Sequence, residues 1–360
     1  MASQLIIDGH LDLSMNAMQW NRDLRMPIDR IRLLEEDQSD KPDRGNGVVS
    51  FSEMRRGNIF FCIATLIARY AKPSHPLGGW NSPEQAWATV QGQIAWYLEM
   101  ERQGELKQIK SYEDFQTFMS HRDQGSIGYL MSLEGADSIV DFDHLYQLHD
   151  QGLRAIGPAH YGPGTYAYGT NSEGSIGHKG RELLKKMDEL KIVLDVTHLC
   201  DTSFWESLDH YNGVVWASHS NTRSLVPHNR QFSDEQIRAL IDRNAVIGQV
   251  LDAWMMVPDW TRGVSTPKNT SVTLSDMIDH MDHICQIAGN TDHIAIGSDL
   301  DGGFGTEQCP SDINTIADLS KIPTLLENRG YSQDDIQKIM HGNWQKIIGK
   351  ALKESFDSIT

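Results

Sequence analysis

The sequence predicts an α/β fold of the (β/α)8 TIM-barrel type, with parallel strands inside and helices outside. Three observations carry this. Eight short apolar runs recur along 360 residues, at 5–8, 59–66, 126–133, 153–156, 192–196, 214–217, 245–251 and 293–296. Helix-length patterns lie between them, as expected for parallel strands joined by crossover helices. No G-x-G-x-x-G follows the first run, so the dinucleotide-binding open sheet has no support. A chain of this length suits one α/β barrel, so residues 1–360 are read as a single domain.

The helices are justified by their start signals. Ser82-Pro83-Glu84-Gln85 sets an N-cap serine, a proline at the first helical position and a glutamine at N3. Ser233-Asp234-Glu235-Gln236 and Ser332-Gln333-Asp334-Asp335 repeat the capping-box pattern. Helices are expected over 83–103, 112–121, 178–190, 202–210, 234–243, 273–288, 313–328, 333–341 and 343–353. Residues 20–57, charged and irregular, read as a surface excursion. Residues 252–272, rich in aromatics and methionine, are long enough for a lid, or for a loop packed on the outer helices.

Composition narrows the function classes. The net charge of −17 argues against nucleic acid or an anionic membrane surface as partner. Met1-Ala2-Ser3-Gln4 has no basic n-region, and no run of about 18 apolar residues occurs, so neither a leader nor a membrane anchor is expected. Cys62, Cys200, Cys285 and Cys309 are scattered without C-x-x-C spacing and read as reduced thiols, which suits a cytoplasmic location.

The chemistry is expected where barrel strands end. The first strand runs into Asp8-Gly9-His10-Leu11-Asp12, with Gly9 expected to let the backbone turn at the rim. Later strands run into Glu134, His160, His198, His219, and Asp299 with Asp301. Any one of these alone reads as a structural histidine, a helix cap or an Asx turn. Together, so many titratable groups round one mouth would repel and resist burial unless a divalent cation compensates them. His10, Asp12, Glu134, His198 and His219 supply three imidazoles and two carboxylates, more than one metal needs. The set matches two metals sharing a bridging carboxylate, and Glu134 is the natural bridge. Nitrogen and oxygen donors without thiolate suit Zn2+ and also accept manganese or cobalt. Two metals about 3.5–4 Å apart can hold a bridging hydroxide and polarise a carbonyl. Such hydrolysis needs a proton shuttle, and Asp299 is the best-placed candidate. The roles of Asp8 and Asp301 stay open between orienting a ligand and shaping a turn.

The motifs DGHLD (8–12), SLEGAD (132–137), LDVTHL (194–199), SHSN (218–221) and GSDLDG (297–302) span nearly the whole chain. In that order they resemble the membrane (renal) dipeptidase family of amidohydrolase-type barrels. The H-x-D pair separates this pattern from the H-x-H of most other amidohydrolases. The resemblance implies that His10, Asp12 and Glu134 hold one zinc and that Glu134, His198 and His219 hold the other. It implies proton transfer by Asp299 and polarisation of the scissile carbonyl, or oxyanion stabilisation, by His160. It also implies that Arg230 binds the C-terminal carboxylate of a dipeptide, a role suited to a bidentate guanidinium. A homodimer and tolerance of a C-terminal D-residue follow from the same resemblance. The chain departs from the family's asparagine-rich loop at "YGPGTYAYGTNSEG", where Tyr161, with Tyr166 and Tyr168, is expected to shape the substrate pocket. Other amides, lactones or phosphoesters are alternative substrates, and a non-catalytic metal-binding barrel is the rival of a different class.

Overall fold

The structure is a computed structural model that describes residues 4–71, 77–121 and 125–357. The reading of the first residues as lacking a leader falls largely on 1–3, outside the described residues.

All eight expected strands form, and one more joins them. They are β1 (Ile6–Leu11), β2 (Ile59–Leu66), β3 (Leu106–Gln108), β4 (Ile127–Glu134), β5 (Leu153–Gly157), β6 (Val193–Asp195), β7 (Val215–Trp216), β8 (Ile247–Gln249) and β9 (Ile294–Ile296). Every pairing is parallel. The unexpected β3 pairs only with β4, off the main path β1-β2-β4-β5-β6-β7, and β8 and β9 form a separate pair. Alternate strand residues face two apolar clusters, as the period of two requires. Ile7, Phe61, Leu130, Ala155, Val193 and Ala295 meet around Trp216 and Trp344. Their chain neighbours Ile6, Cys62, Tyr129, Ile156, Leu194 and Ile296 pack with the helices.

The continuous sheet is a parallel half-barrel, and the closed eight-stranded ladder expected from the sequence is not met. β7 reaches β8 through a single bridge, Ala217 to Ile247. Beyond β9, the Asp299 amide donates to the His10 carbonyl at 3.3 Å. The physical reason lies in what occupies the gap. The Ile296 carbonyl accepts from Trp344 Nε1 at 2.7 Å, where a neighbouring strand would otherwise donate. Gly9 is part of the same arrangement, and the expected rim turn gives way to a steric role. A Cβ there would lie 2.3 Å from the Trp344 ring.

Asp8 bridges the gap with its side chain. Oδ1 accepts from the His10 amide at 3.1 Å and the Ser298 amide at 2.9 Å, and Oδ2 accepts from the Ser298 hydroxyl at 2.5 Å. Asp195 repeats the device between β6 and β7, accepting from the Thr197 amide at 3.0 Å and the Ser218 amide at 3.1 Å. Each aspartate ties its own strand end to that of a neighbour.

The predicted caps hold. Ser82 accepts from the Gln85 amide before the helix Pro83–Arg102, and Ser233 and Ser332 complete capping boxes. The expected helix over 313–328 divides into a 3-10 segment, Ile316–Lys321, and an α-helix, Ile322–Asn328, with Pro323 in its first turn. The helix expected over 333–341 becomes an α-helix, Gln333–Gln337, running into a π-turn, Lys338–Gly342. Two further helices form, Leu13–Gln19 and Phe142–Asp150; the second carries Phe142, Leu145 and Leu148 at helical spacing behind an Asp141 cap, a signal the sequence reading passed over.

The segment 20–57 departs most from its reading as a surface excursion. It contains the helices Ile28–Glu35 and Phe51–Arg56 and is held by a buried arginine. Arg22 donates to Glu35 at 2.8 Å, Asp43 at 3.0 Å and Asn16 at 2.8 Å, and lies 3.7 Å from Asp301. Asp301 in turn accepts from the amides of Val48 and Val49, each at 2.9 Å. Its role is therefore to fasten this segment beneath the β9 loop. Replacing Arg22 with Met should cost about 3–5 kcal/mol, because Asp43 and Asp301 would lose their buried cation and Glu35 would keep only Arg44. Urea unfolding monitored by circular dichroism checks this, and an unchanged midpoint would contradict it.

Candidate metal centre

Each site residue stands at or just past the end of a strand, on one rim. His10 lies inside β1, Asp12 follows it, and Glu134 ends β4. His160, His198, His219 and Asp299 each fall three residues beyond the ends of β5, β6, β7 and β9. His198 and Asp299 adopt positive φ values of 70° and 56°. That conformation costs a non-glycine residue about 1–2 kcal/mol, and strain of this kind gathers where side chains are held for function.

The centre is organised round one oxygen. Glu134 Oε1 lies 3.1 Å from His198 Nε2, 3.5 Å from His219 Nε2, 3.7 Å from His10 Nε2 and 3.9 Å from His160 Nε2. His198 Nε2 and His219 Nε2 are 3.0 Å apart. His10 Nε2 also lies 3.9 Å from Asp12 Oδ2 and 3.7 Å from Asp299 Oδ1. Among the described residues, three groups bring ligand atoms within 4.8 Å of one another: His10, Glu134 and His219; Glu134, His160 and His198; and His10, Asp12 and Asp299. Glu134 and His10 each belong to two of the three.

The residues fit a cation. Among the described residues His10 Nε2 is buried and has no hydrogen-bond partner, which a native protein rarely tolerates. Burial, then the Arg230 charge, pulls the His10 imidazole down to about 3. Burial likewise takes His198 and His219 well below the ordinary histidine range. All three are therefore neutral, the form in which imidazole binds metal. Burial pushes the Asp12 carboxyl up to about 6. Burial and then the Asp12 charge raise Glu134 and Asp299 well above the usual carboxylate range. So many raised carboxyls and lowered imidazoles in one place are what a positive charge at the centre would relieve.

Hydroxyl groups aim the donors. Ser218 Oγ lies 3.2 Å from His10 Nδ1 and 2.9 Å from His219 Nδ1. Thr170 Oγ1 lies 2.9 Å from His198 Nδ1, and the Thr65 hydroxyl donates to Asp12. The sequence reading missed these residues, although Ser218 stands immediately before His219 in SHSN. Exposure sorts the site. The His10 and His219 side chains are each 2% exposed, whereas His160 is 12% and Asp299 14% exposed, so the latter two face the opening.

Arg230 is buried against this cluster. Its Nη2 donates to the His219 carbonyl at 2.9 Å and lies 3.3 Å from His198 Nε2, while Nη1 donates to Ser220 Oγ at 3.3 Å. The Tyr161 ring sits 4.9 Å from that of His160 and 5.4 Å from that of His198. The segment 252–272 comes to the same mouth. Met255 anchors it, its carbonyl accepting from Asn221 and Gln231. Arg262 lies over the Trp254 ring at 4.7 Å and pairs with Asp252 at 3.3 Å. The Trp254 ring reaches the His228 ring at 5.0 Å.

Replacing Ser218 with Ala removes the partner of two imidazoles at once. Affinity for a divalent metal should fall roughly 10–100-fold, as read by competition with a chromophoric chelator. An unchanged affinity would show that packing alone aims the rings.

The family model for membrane dipeptidase (peptidase family M19) matches residues 1–358. A protein in the pqqA 5' region of Klebsiella pneumoniae is 29% identical over 212 residues, covering 57% of this chain and 74% of that protein. Dipeptidase tcpJ of Claviceps purpurea is 27% identical over 232 residues, covering 62% of this chain and about half, 51%, of its own length. A solved metallopeptidase from Rhodobacter sphaeroides, liganded with a phosphinate mimic of L-Ala-D-Ala, superposes with a TM-score of 0.79 at 22% identity, covering 97% of this chain and 99% of that one. At that identity the likeness speaks for the fold. The clustered donors and the match over nearly the full length agree: the chain belongs to the membrane dipeptidase family of metal-dependent hydrolases.

Proposed function

We propose that this chain is a dinuclear zinc dipeptidase, with its two sheets as arcs of one (β/α)8 barrel across residues 1–360. The observation that carries the reading is the convergence of four imidazole nitrogens within 3.9 Å of a single Glu134 oxygen. His10, Asp12 and Glu134 would hold one zinc, and Glu134, His198 and His219 the other. Bound zinc supplies Lewis acidity at the scissile carbonyl and acidifies water near neutral pH.

The rest falls to the chain's own groups. Asp299, at the opening, takes the proton of the attacking water and passes it to the leaving amine. His160 donates a hydrogen bond to the oxygen that gains charge. Arg230 pairs with the substrate's free carboxylate, and Tyr161 with the segment 252–272 covers the pocket as a lid. Dipeptides are the substrates, including those with a C-terminal D-residue. The family resemblance supports a homodimer, and the scattered thiols suit the cytoplasm.

Two measurements test the reading. Metal analysis of zinc-loaded protein should find about two equivalents per chain. A panel of dipeptides with L- or D-residues at the second position, run beside lactones and phosphoesters, should show turnover on dipeptides. Two metals without turnover on any member would favour a binding protein. Asp299→Asn should lower kcat by about 10²–10⁴ with zinc retained, and near-full activity would remove the shuttle assignment. Arg230→Met should raise KM roughly 10–100-fold, the loss of about 1.5–3 kcal/mol of charge-assisted hydrogen bonding. It should do so only for substrates with a free carboxylate. An equal effect on their amides would count against carboxylate binding.

A further inference from the structure

The four imidazoles round Glu134 differ in what holds their far nitrogens. At Nδ1, His10 and His219 share the hydroxyl of Ser218, and His198 meets the hydroxyl of Thr170. A hydroxyl oxygen can accept from Nδ1–H, which leaves Nε2 as a lone pair for a metal. His160 is different. Its Nδ1 contacts Nη1 of Arg69, three residues past the end of β2. A guanidinium can only donate, so Nδ1 must be the acceptor and the proton of the neutral ring sits on Nε2. That nitrogen faces the centre, 3.9 Å from Glu134 Oε1.

We infer that Arg69 is a positioning residue that locks His160 as its Nε2–H tautomer, making it a hydrogen-bond donor to substrate and barring it from the metal. A second observation supports this. Among the described residues Arg69 Nε is buried without a hydrogen-bond partner, a cost that an arginine placed only for stability would avoid. Arg69 thus separates two roles that distance alone leaves together, since His160 groups with Glu134 and His198 as closely as a ligand would. The inference rests on the reading of His160 as the group that stabilises developing charge.

The test uses zinc-loaded protein with 15N-labelled histidine, with the His160 signals identified by their loss in His160→Gln. Wild type should show an unprotonated Nδ1 and a protonated Nε2 at His160. A protonated Nδ1, or a metal-shifted Nε2, overturns the inference even if no Arg69 variant folds. Arg69→Met should lower kcat roughly 10–100-fold with KM and zinc content little changed, and should mix the His160 tautomers. Arg69→Lys, which keeps a donor, should recover part of kcat and the single tautomer. Loss of zinc along with activity in Arg69→Met would make Arg69 a general support of the centre, against the inference. If wild type cleaves no dipeptide, the functional reading fails while the spectrum still decides the tautomer.

Discussion

One carboxylate oxygen sets the terms for this molecule. Glu134 Oε1 is buried among four imidazole nitrogens, and Asp12 and Asp299 complete the crowd through His10. Protein groups alone make this a poor arrangement. The carboxyls are raised, the imidazoles lowered, and His10 Nε2 is left without a partner. A divalent charge turns each of these costs into a bond. The requirement then extends outward, because every ring must be turned by a group on its far side.

The scaffold meets that requirement with short strands and side-chain ties. β6 to β9 are only two or three residues long, so the backbone ladder cannot by itself align their ends. Asp8 and Asp195 replace the missing ladder bonds by joining Ser298 and Ser218 to neighbouring strand ends. Ser218 is thus fixed by Asp195 through its amide and aims two imidazoles through its hydroxyl. Burial lifts the Asp8 carboxyl to about 6 against its three hydrogen bonds, a sign of how deep these ties lie. Arg22 and Asp301 apply the same economy on a larger scale, fastening 20–57 to the loop after β9.

Much of the fold and the centre was legible in the sequence. Apolar runs of strand length, serine caps and the polar residues after each run depend on local pattern, and local pattern survives folding. Leu5-Ile6-Ile7 announced β1, and Ser82-Pro83 announced a twenty-residue helix. The charged segment 20–57 misled because a run of charges reads as a solvated surface, and nothing local shows that Arg22 will be enclosed by carboxylates. The closed ladder misled because strand count says nothing of Trp344, which arrives from the C-terminal helix to take the Ile296 carbonyl.

The sequence by itself determined the family, the parallel α/β pattern and the donor set, because these are carried by residue type and order within short motifs. Only the tertiary structure decided which atoms meet. It placed Glu134 within reach of four rings, assigned hydroxyls to three of them and a guanidinium to the fourth, and gave Asp8 its partner 290 residues away. The physical reason is that hydrogen bonds and cation sites act over about 3 Å. The separations that matter here are distances between strand ends, and no spacing along the chain encodes them.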